Sequence, residues 1–110
     1  MTQGADINAV DMYKRTAAHA HASSWCGNIG LLIELGADIH AKDYQEDTPL
    51  HMAASSARVD AVRILLAHGA DIRAKNRAGR TPLEELLVPG NKINISAMAV
   101  IAGILLEAGA

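Results

Sequence analysis

At 110 residues, half of them hydrophobic, the chain is long enough for one domain with a continuous apolar layer, and a second domain is not expected. Only three residues are aromatic and none is Phe, so the core has to be assembled from Ala, Leu, Ile and Val, a composition suited to close-packed helices. Ten basic residues against twelve acidic ones give a formal charge of −2, which supplies no electrostatic footprint for nucleic acid or an anionic membrane surface.

The chain opens Met1-Thr2-Gln3-Gly4-Ala5-Asp6, without the basic start and apolar run of a signal peptide. No segment approaches the length of a membrane span, so a soluble, cytoplasmic protein is expected. Gly4-Ala5-Asp6-Ile7 is the first copy of a tetrapeptide that returns at 36–39 and 69–72, and Gly109-Ala110 starts a fourth. Residues 1–10 therefore read as the tail of a partial repeat. A second landmark keeps step: Thr16, Thr48 and Thr81 are spaced 32 and 33 residues apart. Two independent markers at one period identify an internal repeat, with units at 11–43, 44–76 and 77–110.

In the first unit, Thr16 precedes the helical run Ala17-Ala18-His19-Ala20-His21-Ala22. His19 and His21, two positions apart, point to different sides of a helix and have no acid or cysteine at ligand spacing, so packing is expected of them and not metal binding. Trp25-Cys26 reads as a turn between helices. Cys26 is the sole cysteine, which rules out an intramolecular disulfide and a cysteine-based zinc or redox pair, and a structural thiol in a reducing compartment is expected. Gly27-Asn28-Ile29-Gly30 lacks the lysine and the preceding strand of a phosphate-binding loop, so it reads as a turn entering a helix. Gly36 then closes that helix in a left-handed conformation.

The second unit starts a helix at Thr48-Pro49, an N-cap oxygen followed by a proline tolerated at the first helical position. Ser55, Ser56 and Arg58 interrupt the apolar pattern, and a second helix follows with Val62, Leu65 and Leu66 on one face and Asp60 and Arg63 off it, up to Gly69. One helix pair cannot bury such a face alone, whereas a stack of pairs can. The third unit repeats Thr81-Pro82-Leu83 but carries Glu84 where the second has His51. Its distance from Thr81 to Gly109 is 28 residues against 21 from Thr48 to Gly69. This places an insertion at 88–95, read either as a tolerated loop or as an extra contact element. Pro89-Gly90 is expected to end the first helix and Ser96 to cap the second, whose apolar run from Ala97 to Leu106 suits a buried helix. Asn94-Ile95-Ser96 matches a glycosylation acceptor, which has no meaning in a cytosolic protein.

Asp47-Thr48-Pro49-Leu50-His51-Met52-Ala53-Ala54 and Leu65-Leu66-Ala67-His68-Gly69-Ala70-Asp71-Ile72 resemble the two signatures of the ankyrin repeat family, and the resemblance extends over nearly the whole chain. It implies an all-α, helix-turn-helix solenoid with β-turn hairpin loops between repeats. It also implies that His19 and His51 are structural histidines bonded to the neighbouring repeat, with His40 and His68 at exposed positions. Targets of the family meet the hairpin tips and the inner face of the first helices. In this chain those positions are Met12, Tyr13, Arg15, Ser23 and Ser24 in the first unit. They are Tyr44, Gln45, Asp47, Ser55 and Ser56 in the second, and Arg77, Ala78 and Arg80 in the third, with Lys42 and Lys75 just before the tips. Tyr13 and Tyr44 are expected at equivalent places one repeat apart, so that two of the three aromatic residues project along one edge. Asn8 and His40, at equivalent loop sites, are candidates for the hydroxylation that some ankyrin proteins undergo.

The expected function is a non-catalytic module that binds a protein partner of unknown identity, with no cofactor, no metal and no enzymatic activity. No spacing in the chain points to a nucleophile, a base and an orienting acid that converge. Two departures from the repeat pattern stand out. Ala18 and His21 replace Leu50 and Ala53 of the second unit, an exchange of volume along one helix face. Both ends are incomplete, which leaves an apolar face for another repeat or another chain and makes self-association through the terminal repeats the alternative function.

Overall fold

The computed structural model describes residues 8–23, 28–87 and 95–109. The tetrapeptide at 4–7, Ser24, Trp25, Cys26 and insertion residues 88–94 lie outside the described residues, as do the side chains of Ser23 and Ile95. Six helices follow in order: α1 (Ala17–Ser23), α2 (Ile29–Glu34), α3 (Pro49–Ser55), α4 (Val59–Ala67), α5 (Pro82–Leu86) and α6 (Ile95–Glu107). There is no strand among the described residues. In one layer α1 packs on α3 and α3 on α5, while in the other α2 packs on α4 and α4 on α6. The stack is elongated, 43 × 24 × 24 Å.

Helix starts follow from the threonines. Thr48 has extended backbone, its Oγ1 accepts from the His51 N–H, and Nδ1 of His51 accepts from the Thr48 N–H at 3.2 Å, so two backbone donors are satisfied reciprocally. Thr81 and Glu84 make the same box with a carboxylate in place of the imidazole. Helix ends follow from the glycines. Gly36 and Gly69 take φ of +98° and +87°, the glycine N–H bonds Ile33 O and Leu66 O, and the next N–H bonds Leu32 O and Leu65 O. Those two bonds close orphan carbonyls that a residue confined to negative φ would leave open.

Helix α5 ends at Leu86 with Leu87 as its C-cap, ahead of Pro89-Gly90, which lies outside the described residues, and one expected boundary differs in the structure. Ser96 lies inside the first turn of α6, which begins at Ile95, so it is not the cap.

Leu50, Val62, Leu65, Leu86, Ile101 and Leu105 are fully buried and run along the stack as one core. Ala18, Ala22, Ala53 and Ala54 are also fully buried and let α1 and α3 approach closely. His21, at the place of Ala53, is half-buried and its Nδ1 accepts from the Asn28 N–H, so the ring ties α1 to the start of α2.

Candidate partner-binding edge

The loops before the three Thr caps fold alike, for a reason visible in their first residue. Oδ1 of Asp11 accepts from the N–H groups of Tyr13 and Arg15, Oδ1 of Asp43 from those of Gln45 and Asp47, and Oδ1 of Asn76 from those of Ala78 and Arg80. Each side chain thus nucleates its own turn. The backbone closes around it: Lys14 N–H bonds Asp11 O, Glu46 bonds Asp43 and Gly79 bonds Asn76, with φ of +61°, +61° and +78° at the three donors. Asp11 N–H also bonds Arg15 O, Asp43 bonds Asp47 and Asn76 bonds Arg80, which completes three short hairpins. Neighbouring tips are then joined, by Tyr44 N–H to Tyr13 O at 3.0 Å and Arg77 N–H to Gln45 O at 2.8 Å.

Buried histidines hold this edge from behind. Nδ1 of His19 accepts from Thr16, so Nε2 carries the hydrogen donated to Asp47 O at 2.6 Å. His51 is held by Thr48 in the same way and donates to Arg80 O at 2.9 Å. Each ring therefore pins the tip of the following unit at the residue before its cap. These contacts place both histidines in the role that the family resemblance implied.

The pattern of loop bonds changes the expected alignment of the aromatic residues. Tyr13 is the counterpart of Gln45 and Ala78, while Tyr44 is the counterpart of Met12 and Arg77. The two tyrosines are therefore offset by one position, not equivalent. That offset brings their rings together, with centroids 5.9 Å apart and planes at 35°. The Arg15 guanidinium lies 5.4 Å from the Tyr13 ring centroid, and Arg77 donates from Nε and Nη2 to Tyr44 O at 3.0 and 2.7 Å. Arg15, Tyr13, Tyr44 and Arg77 form one continuous strip. Beside it a groove of about 430 Å³ is lined by Tyr44, Gln45, Asn76, Arg77, Ala78, Arg80 and Glu85.

Of the other positions singled out in the sequence, Met12 is 83 % exposed and Lys42 and Lys75 are exposed. Asp47, Ser55 and Ser56 are half-buried, and the Ser55 hydroxyl donates back to Met52 O. Ser23 ends α1 and Ser24 lies outside the described residues. Asp43, Asn76 and Glu85 were not singled out, yet they organise the edge; the signal that could have found the first two is an Asp or Asn five residues before each cap threonine. Nδ2 of Asn76 donates to Asp47 Oδ1 at 2.9 Å and to Glu85 Oε1 at 2.6 Å, and Arg80 reaches Glu85 at 3.7 Å. Asp43 is buried, and its Oδ2, which accepts no hydrogen bond, lies 3.6 Å from Nε of Arg15.

Burial pushes the Asp47 carboxyl above its ordinary range, opposed by the Asn76 hydrogen bond and reinforced by the neighbouring Asp43 charge. Backbone N–H groups act the other way at the exposed acids, those of Arg15 and Tyr13 holding Asp11 down and that of Thr81 holding Glu84 down. Among the described residues no three His, Cys, Asp or Glu side chains gather as a metal site would need, and no helix is long and apolar enough to cross a membrane.

Comparison with known proteins agrees with this geometry. The family model for ankyrin repeats in three copies matches residues 1–76 and, overlapping, 22–95. An ankyrin repeat protein of fowlpox virus is 33% identical over 101 residues, covering 89% of this chain and 23% of the viral protein. Human protein phosphatase 1 regulatory subunit 27 is 40% identical over 89 residues, covering 78% of this chain and 57% of the subunit. Mouse protein phosphatase 1 regulatory subunit 12A is 37% identical over 70 residues, covering 63% and 7%. The chain spans less than two thirds of the length of each of these relatives. With helix pairs, capped hairpins and histidine clamps in repeating order, and with the family model matched over most of its length, the chain belongs to the ankyrin repeat family.

Proposed function

We infer that the chain is a non-catalytic module that presents its hairpin edge and first helices to a protein partner. The observation that carries this reading is the strip Arg15, Tyr13, Tyr44 and Arg77, exposed yet held on backbone already fixed by hydrogen bonds within and between the loops. Aromatic and arginine side chains bury large area on binding, and a pre-formed surface has little ordering entropy left to lose. Two relatives are named as regulatory subunits of a phosphatase, which supports a role in binding another protein. The contact set consists of the loop and first-helix positions above, in units taken as 11–43, 44–76 and 77–110.

The test is selection of a displayed random peptide library on the chain and on the double variant Tyr13→Ala, Tyr44→Ala. The double variant is expected to keep its stability within about 1 kcal/mol, as exposed substitutions usually do, and to lose the peptides that the parent enriches. Equal binding of those peptides to both proteins would refute the assignment of this edge.

Self-association is the second reading, and α6 favours it. Among its described side chains only Glu107 is charged, and Val100 and Leu106 are 44 % and 57 % exposed. A sedimentation coefficient that stays monomeric as concentration rises would exclude this reading.

A further inference from the structure

The geometry points to an acidic protein segment, rich in Asp and Glu, as the occupant of the hairpin edge. This rests on the reading of the edge as a partner-binding surface and adds the chemistry of what it binds. The edge is built from equal numbers of acids and bases, but the fold sorts them. Lys14, Arg15, Lys42, Lys75, Arg77 and Arg80 are all exposed. Asp43 is buried, and Asp47 and Glu85 are half-buried and share the Nδ2 group of Asn76. Of the exposed acids, Asp11 and Glu84 are held by backbone N–H groups of their own loop and cap, which leaves their charge in place, and Glu46 is the third. Six exposed bases against three exposed acids therefore leave the outward face positive on a chain whose formal charge is −2. Such segregation steers and orients a partner of opposite sign.

Arg77 makes the case specific. Its Nε and Nη2 groups bond a carbonyl oxygen, that of Tyr44, and among the described residues no carboxylate lies within ion-pair distance of it. A carbonyl fixes the guanidinium in place without cancelling its charge, so a planar donor stands ready at the groove for an incoming carboxylate. Arg80 reaches Glu85 only at 3.7 Å and lines the same groove. Next to the cations, Tyr13 and Tyr44 supply apolar area for a neighbouring side chain of the segment. Nucleic acid fits less well, because the tyrosine rings are packed on each other and are not open platforms for bases.

The experiment sequences the peptides that the whole chain enriches from a displayed random library, then measures binding of enriched peptides to the parent, Arg77→Met and Arg80→Met by fluorescence anisotropy. Melting curves of each variant check the fold. Asp and Glu should be in excess over the input library, with binding to the parent weakened about tenfold between about 0.05 and 0.5 M salt and weakened about tenfold again by Arg77→Met. No enrichment, a pool without acidic excess, or acidic peptides that bind both arginine variants as they bind the parent would overturn the proposal. So would an oligo(dT) probe that binds as tightly as the peptides and is lost in Arg77→Met. A non-acidic pool that depends on Tyr13 and Tyr44 would sink the acidic partner while leaving the edge as a binding surface. A pool indifferent to the tyrosines and arginines alike would sink both.

Discussion

Replacement of His51 by Ala probes the link between one unit and the next. The ring is 1 % exposed, and it bonds the Thr48 backbone through Nδ1 at 3.2 Å and the Arg80 carbonyl through Nε2 at 2.9 Å. Thr48 is buried, so its N–H loses a partner that water cannot replace, at about 1–3 kcal/mol. The Arg80 carbonyl still accepts from the Asn76 N–H at 2.9 Å, so it keeps a partner and its loss is small. The vacated ring volume between α3 and the third hairpin adds about 2–3 kcal/mol, toward the low end of large-to-small core substitutions. Together these give a loss of about 3–6 kcal/mol, a large share of the roughly 5–15 kcal/mol typical of a folded domain. Urea unfolding followed by far-ultraviolet circular dichroism, with an unchanged slope, measures it. Amide exchange of Asn76 and Gly79, whose N–H groups close the third hairpin, should accelerate. A loss below about 1 kcal/mol with unaltered exchange at those amides would refute the idea that the histidine carries the junction.

Two glycines of similar openness should respond with opposite sign. Gly69→Ala is expected to destabilise by about 1–2 kcal/mol because its φ of +87° is the obstacle, although nothing lies near the added methyl. Gly103→Ala, in the middle of α6 with the same free space, should stabilise by about 0.5–1 kcal/mol; thermal melts that move both variants the same way would contradict this. For Asp47, the folded carboxyl titrates above its unfolded range, so the folded state holds the proton more tightly and the parent loses stability as pH rises from about 4 through that titration. Asp47→Asn keeps an acceptor for Asn76 and should gain on the parent over that rise, so urea midpoints that stay parallel from acid to neutral pH would refute the reading.

Element starts and stops were legible because each has one local cause. Thr48-Pro49 and Thr81-Pro82 cap helices and Gly36 and Gly69 end them, whatever surrounds them. The mismatches lie where a position is set by distance in space. Tyr13 and Tyr44 look equivalent to an eye that matches residue types, but counting from Asp11 and Asp43 puts them one place apart. The bridge from Asn76 to Asp47 and Glu85 was hidden because one amide joining two carboxylates from different parts of the chain leaves no spacing to read. Ser96 misled for the opposite reason. It is a good capping residue by type, but the helix had begun one residue earlier.

Thr16, Thr48 and Thr81 each follow a closing Gly-Ala-Asp-Ile glycine by twelve positions, whereas the distance onward from threonine to the next such glycine varies. The invariant stretch is the one that carries the hairpin, stitched to its neighbours by backbone bonds and, in the second and third units, pinned by the histidine of the unit before. The variable stretch holds the two paired helices and the segment that joins them. A solenoid built this way can lengthen along one border while the opposite border keeps its pitch. Sequence drift and insertion are thereby steered toward the side where they leave the spacing of the exposed tips unchanged.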